Sequence, residues 1–279
     1  MKIWNNICLA PNLKMNKNPK PRIRLAVFSV LFLIIPALMY AQPLKRVKNE
    51  AFIPNEVLEY RVHYGFMDAG EARLEVAPDM KTMGGRSCYR VIGTGNSVGA
   101  FDWFFKVRDH YESYIDSEAL VPWLFIRRIQ EGGYSKSQNV SFNHFRSTAT
   151  SEEKTISTPS HVQDLISSLY YARTFDFANA AVGDTFAINT YLDDETFPLV
   201  IKYLGKETIK TKMGKFRCIV FKPYLSSGRV FKEKEGMTVW ITDDKNRIPV
   251  RAQADILIGS IKMDLKSYKG LANPVALVE

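Results

Sequence analysis

The side chains able to do chemistry are few and scattered. The four histidines, His63, His110, His144 and His161, form no H-x-H or H-E-x-x-H pair. Zinc needs three or four converging nitrogen or sulfur ligands, and this spacing does not supply them. His63 and His110 fall on the polar faces of alternating segments, where a surface position is the simpler reading. No G-x-S-x-G elbow is present to hold a serine as a nucleophile. Asp193-Asp194-Glu195 and Asp243-Asp244 are the tight acidic clusters. Such carboxylates can bind calcium or work as an acid–base pair. Both clusters lie where hairpins are expected to turn, and Asp is a standard turn residue. Gly93-Thr94-Gly95 and Gly132-Gly133 lack the strand–loop–helix setting of a phosphate cradle and read as turns. No cofactor is implied. The chain reads as non-enzymatic, and an enzyme would need a site assembled from residues far apart in sequence.

Two sulfur positions need a compartment before they can be interpreted. The apolar run Leu25–Ala41 follows six basic side chains, Lys2, Lys14, Lys17, Lys20, Arg22 and Arg24, with no acidic one. That is the pattern of a secretory signal. It is short for a membrane span, which needs about 20 apolar residues, and Pro36 would break a helix near its end. A cut after Ala41 starts the mature chain at Gln42, and Met15 is a plausible first residue; an uncleaved anchor is the competing reading. Cys8 is removed with the signal. Cys88 and Cys218 remain in a compartment where disulfides persist. Either they bridge, or each fills a small space in a β core. A catalytic thiol at either position is the weaker reading. No cysteine sits just after the apolar run, so a lipoprotein anchor is not indicated.

Aromatic residues make the most unusual local feature. Phe101-Asp102-Trp103-Phe104-Phe105 is followed closely by Trp123 and Phe125. Alternation sends Trp103 and Phe105 to one side and Phe104 to the other. This fits a strand buried on both faces, the plainer reading, or a loop presenting rings to a ligand or membrane. Trp103, Phe104, Trp123 and Trp240 are the candidate ligand-facing residues.

Period-two alternation sets the fold class. Leu58, Tyr60, Val62 and Tyr64 share one face of Glu56–Tyr64, with Glu59, Arg61 and His63 on the other. The chain returns through Ala72, Leu74 and Val76. Further strands are expected at Ser87–Gly93, Phe104–Ile115, Val121–Ile129 and Lys136–Phe145, with a polar loop or exposed edge at Thr148–Thr158. The pattern resumes at Thr185–Tyr191, Phe197–Tyr203, Glu207–Lys212, Phe216–Pro223, Met237–Thr242, Ile248–Ile258 and Ile261–Tyr268. Gly259-Ser260 reads as a two-residue hairpin turn. One segment changes period: Ser160-His161-Val162-Gln163 fits a capping box ahead of Val162, Leu165, Ile166, Leu169 and Tyr170. It predicts a single helix from His161 to Phe175. Gly85–Val91 also echoes Gly214–Val220, and Tyr114-Ile115-Asp116 with Pro122 echoes Trp240-Ile241-Thr242 with Pro249, as a duplicated half would. So many antiparallel strands must close or stack to hide their edges.

These patterns predict an all-β protein, an antiparallel barrel or half-barrel, in two meander halves or one, with one packed helix. Residues 1–41 are the signal, 42–55 a leader, 56–270 a single β-rich domain and 271–279 a tail. The net charge of +9 does not carry through: without the six basic residues of the signal, 38 basic side chains fall to 32 against 29 acidic. That is too little for a nucleic-acid surface.

Several stretches together resemble an uncharacterised family of bacterial exported proteins, domain of unknown function 3108. They are LEYRVHYGFMDAGEARLEV, FKVRDHYESYIDSEALVPW, VQDLISSLYYAR and MTVWITDDKNRIPVRAQADILIGSIKMDLKSY. The likeness runs from about Glu56 to Tyr268 and brings no activity with it. The closing segment alone also resembles periplasmic lipoprotein carriers, which implies an open half-barrel with helices over an apolar cavity. Only one helix is evident here to cover one. The expectation is a periplasmic or envelope protein of a Gram-negative bacterium, with no membrane span after signal cleavage. It would bind a lipid or another apolar or amphipathic ligand. The rival is an envelope scaffold whose aromatic surface binds a partner chain.

Overall fold

A computed structural model describes residues 44–225, 236–256 and 259–278. The expected signal at 1–41 lies outside the described residues.

The first half of the fold is a meander. β1 (Val57–Tyr64) pairs antiparallel with β2 (Met67–Val76), which pairs with β4 (Arg86–Ser97). The short β3 (Lys81–Met83) hangs from β4. Then follow β5 (Arg108–Asp116), β6 (Pro122–Glu131), β7 (Tyr134–Asn143), β8 (Thr148–Thr150) and β9 (Thr155–Ser157), each beside the last. Helix α1 (Gly99–Phe104) joins β4 to β5, and α2 (Leu165–Ala172) crosses from β9 to the second half. There β10 (Thr185–Leu192), β11 (Glu195–Thr211), β12 (Gly214–Leu225), β13 (Met237–Thr242), β14 (Pro249–Asp255) and β15 (Ser260–Lys269) run as another meander. β15 pairs with β1, so one antiparallel sheet runs from β10 through that seam to β9. A last short strand, β16 (Leu277–Val278), returns to β12.

The sheet is open: β9 and β10 stand at its two ends. It is nevertheless strongly curled. Arg127 on β6 and Lys136 on β7 reach Asp193 in the β10–β11 turn at 2.5 and 2.6 Å. Phe142 on β7 meets Tyr191 on β10 edge to face, with ring centroids 5.5 Å apart. An open β10 edge would invite pairing with another chain. Gln163 covers part of it: its amide donates to the Asn189 carbonyl, and its own carbonyl accepts from Tyr191 N–H.

That pairing explains a difference from the sequence pattern. The helix begins at Leu165, capped by Asp164 rather than Ser160. His161 has a positive φ of 54°, and Gln163 is engaged with β10, so residues 160–163 cannot form a first helical turn. Asp164 Oδ1 instead accepts the Ile166 and Ser167 amides at 2.8 Å, while Ser167 Oγ accepts the Asp164 amide. A second difference is α1, a short helix on the aromatic segment where a strand buried on both faces was the plainer expectation; its side chains are not buried. A third is the β14–β15 hairpin. Asp255 pairs with Ser260, so the loop is longer than the expected Gly259-Ser260 turn; Leu257 and Ile258 within it lie outside the described residues. Phe197–Tyr203 and Glu207–Lys212 are one strand, β11, with an irregularity between Tyr203 and Gly205.

The sequence echo corresponds to matching architecture. Cys88, Tyr89 and Arg90 face Asp116, Ile115 and Tyr114, as Cys218, Ile219 and Val220 face Thr242, Ile241 and Trp240. A register shift follows at Tyr114/Ile115 and again at Trp240/Ile241. Leu120 and Arg247, each two residues before the proline that opens the next strand, share a positive φ of 51° and 46°. The Asp116 amide donates to Val121, and that of Thr242 to Ile248.

Three apolar clusters follow from the curl. One lies under α2 in the first half, around Val91, Phe125, Val140, Ile166 and Tyr170. Leu58, Tyr60, Phe216, Cys218 and Leu265 make a second at the β1–β15 seam. A third, of Phe177, Ile188, Tyr203, Ile219 and Phe221, belongs to the second half. The leader does more than enter the fold: Ala51 and Phe52 are buried in the first cluster. The tail likewise packs Leu271 and Val275 against the second.

Candidate functional site

Helix α2 is apolar on two stripes, which is how one helix serves two interiors. Ile166 and Tyr170 point into the first cluster. Gly93 on β4 permits this approach, because a Cβ there would stand 3.1 Å from Ile166 Cδ1. The other stripe, Leu169 and Ala172, faces the second half across a space that the described residues do not fill.

That space is a half-open groove of about 160 Å³. Leu199 and Ile201 from β11, Phe221 from β12, and Val239 and Ile241 from β13 form its floor, and Phe177 closes one side. Pro223 and Met237 stand at the strand ends. Ser168 and Arg173 are the polar residues in the wall. Arg173 brings no unpaired charge, because it is spent inside the protein. Its guanidinium donates to both Glu56 oxygens at 2.6 and 2.7 Å and to the Ala51 and Asn246 carbonyls. It also lies over the Tyr170 ring at 4.9 Å and the Phe52 ring at 5.5 Å. Burial alone would push its pKa down, but Glu56 reverses the direction and holds it raised. The groove is therefore an apolar surface with no group in it for acid–base work.

Its size is informative. An apolar cavity of ~150 Å³ stays dry and accepts benzene, whereas drug-sized sites usually exceed ~300 Å³. This groove suits one ring or a short length of acyl chain. Clefts of about 370 and 520 Å³ elsewhere are lined mainly by charged and polar side chains. The larger holds Asp109, whose pKa burial and the neighbouring Glu131 push up to about 6. It is an open surface between Arg108, His110 and Arg128.

The residues singled out from sequence lie in three places. Trp103 and Phe104 on α1 stand 86% and 80% exposed, with centroids 5.5 Å apart. Trp123 on β6 is half-buried; its indole N–H donates to Asp116 at 3.0 Å and its ring meets His144 and Phe145. Trp240 on β13 donates to the Glu207 carboxylate and packs against the seam cluster. None of the four is among the described residues lining the groove. Cys88 and Cys218 are separate, unbonded and buried thiols, each pushed up to about 12 by burial first. Asp193 and Asp194 form the β10–β11 turn with positive φ of 50° and 58°. No group of three or more His, Cys, Asp or Glu converges on a metal position among the described residues.

Sequence reasoning missed the groove residues themselves. Their signal was present in Leu199-Val200-Ile201, apolar on both faces of β11, and in the second stripe of α2.

Comparison with known proteins gives a family and a fold. The sequence pattern of a family described as a protein of unknown function, DUF3108, matches residues 59–266, from within β1 to within β15. The chain belongs to this family. The family description attaches no activity to its members. No curated protein matches this DUF3108 chain. Its fold is similar to that of a β-barrel-like protein of a domain of unknown function, DUF1849, from Brucella abortus. That likeness has a TM-score of 0.52 at 8% identity, over 78% of this chain and 98% of the other. A DUF1089 family protein from Pseudomonas aeruginosa is similar at a TM-score of 0.34 and 7% identity, over 71% and 90%. No helix among the described residues of the DUF3108 chain is long and apolar enough to cross a membrane.

Proposed function

We propose that this chain is a non-enzymatic, exported envelope protein that holds an apolar or amphipathic ligand in the groove between α2 and β11–β13. The observation that carries this reading is the wall itself. Leu169, Ala172, Leu199, Met237 and Val239 stay partly uncovered by the described residues, above buried Phe177, Ile201 and Phe221, in a protein that buries the equivalent stripe of α2 in the first half. Apolar surface left facing water costs about 25 cal/mol per Å², so a ligand that covers it gains that amount. A ring or acyl segment fills the volume, while a polar head stays outside. Export rests on the basic and apolar pattern of residues 1–41.

Binding of an alkyl-naphthylamine probe tests this, using wild type and the cavity-filling variant Ala172→Phe. The probe brightens with wild type, free fatty acid displaces it, and Ala172→Phe removes the signal while keeping the melting temperature. Equal brightening with the variant, or none with wild type, would refute the groove as the site.

The rival reading, a partner chain on an aromatic surface, draws on the exposed rings of α1 rather than on the groove. Substitutions there leave probe binding untouched if the two features are independent.

A further inference from the structure

Three neighbouring connections reach the same end of the sheet. They are the β1–β2 turn, the α1 segment between β4 and β5, and the β6–β7 turn; antiparallel pairing of β1, β2, β4, β5, β6 and β7 in that order puts them side by side. The backbone ties them: the Val98 amide donates to the Ala69 carbonyl, and the Gly132 amide to that of Lys106. Phe105 lies over Gly132, whose φ of +57° and missing Cβ let the ring settle there. On this base Phe66, Trp103 and Phe104 are 94%, 86% and 80% exposed, and Met67 is exposed beside them. A chain that buries rings throughout its three clusters leaves its most exposed ones together.

The acidic groups nearest the rings are paired with arginines, while Glu131 in the β6–β7 turn lies against Asp109. Asp102 is held by Arg108 through two contacts of 2.6 and 3.0 Å and also accepts from Ser97. Arg108 first, then Ser97, hold its carboxyl at about 2. Asp68 is paired with Arg61. Between Gly99 and Lys106 the ionic side chains are that neutralised Asp102 and the exposed Lys106. Rings standing this far out need a medium that closes around each of them, which fluid acyl chains do and a folded partner does only with a pocket per ring. Lys106, just behind them, stands where phosphates would lie when the rings are at the acyl boundary.

We infer that the tip formed by Phe66, Trp103 and Phe104 with Lys106 docks this protein on an anionic lipid bilayer surface. The groove's outer residue Met237 lies in the same row of the sheet, through Ala254, Ile261 and Tyr64 to Met67. A docked protein thus has the Met237 end of the groove on the side of the sheet that meets lipid. Docking stands independently of what the groove holds, since the two sets of side chains do not overlap.

The test is co-sedimentation of the whole chain with vesicles of phosphatidylcholine and phosphatidylglycerol, with brominated acyl chains as a fluorescence quencher. Wild type is compared with the triple variant Phe66→Ser, Trp103→Ser, Phe104→Ser and with Lys106→Glu. The chains differ only at the tip, so whatever precedes Leu44 contributes equally. Wild type sediments, and the Trp103 component of its emission, taken as the difference from Trp103→Phe, is quenched. The triple variant binds roughly tenfold or more weakly with an unchanged melting temperature, and Lys106→Glu weakens binding most at low salt. Undiminished binding by the triple variant, an unquenched Trp103, or a wild type that stays in the supernatant overturns the proposal. Loss of probe binding by Ala172→Phe with vesicle binding intact separates the groove from the tip.

Discussion

Asp116 shows what the polar residues of this fold are for. Its carboxylate gathers the Arg86 guanidinium, the Trp123 indole and the amides of Glu118 and Ala119 beneath the β5–β6 turn. Burial pushes its pKa up, but these donors outweigh burial and hold it at about 2. A depressed carboxyl contributes stability above its unfolded pKa and loses it as the pH falls through the folded one. The contribution should be present above about pH 4, vanish towards pH 2, and amount to about 2 kcal/mol. Urea midpoints should therefore drop between pH 5 and 2.5 more in wild type than in Asp116→Asn, which is already weakened at neutral pH. Parallel curves would mean that the network does not act as a unit. The same contact explains why Trp123 was hard to place from sequence. A tryptophan near an aromatic run reads as ligand-facing, and only the fold reveals that its N–H is committed to Asp116. Trp240, committed to Glu207, is the same case.

Among the elements, strands were legible and their edges were not. Alternation located β1, β13 and β15, although their burial is uneven: β1 buries His63 on its expected polar face, β13 buries only Ile241 and Thr242, and Ile261 on β15 is exposed. Ser160-x-x-Gln163 was misleading because a capping box is a local pattern, while Gln163 is claimed by the edge of β10. The true cap, Asp164, is fully buried against Ser113 at 2.6 Å. Burial, the largest influence, pushes its pKa up to about 6 against the hydrogen bonds it accepts. A raised carboxyl has the opposite sign: its contribution is full below about pH 4 and is lost as the pH rises through 6. Asp164→Asn keeps the cap without the charge, so it should equal wild type near pH 4 and exceed it by up to about 3 kcal/mol at pH 7.5. Asp164→Ala should fall about 1–2 kcal/mol below Asp164→Asn at either pH, the loss of the cap alone. Denaturant unfolding of the three proteins at both pH values checks the pair. A wild type more stable than Asp164→Asn at pH 7.5 would show that the charged cap is favourable.

For the whole molecule, the decisive contacts join segments that no local pattern connects. β1 pairs with β15 across nearly the whole chain, and Arg173 at the end of α2 ties the leader through Ala51, and the start of the domain through Glu56, to the β13–β14 turn through Asn246. Removing one partner of such a buried pair leaves the other unpaired, so Glu56→Gln and Arg173→Met should each cost about 3–5 kcal/mol by denaturant unfolding. The groove has the same origin. Its lining spans Ser168 to Ile241, and each strand contributes a face that reads as ordinary core. The fold class was thus readable from alternation, and the site was not, because a cavity is a property of how two halves meet. The measurement that bears most directly on the central claim is a native mass spectrum of the protein isolated from its native cells, before and after organic extraction. An apolar ligand in the groove predicts a discrete added mass that extraction removes and that Ala172→Phe never carries. A bare protein mass from repeated preparations, or the same added mass on Ala172→Phe, would contradict it.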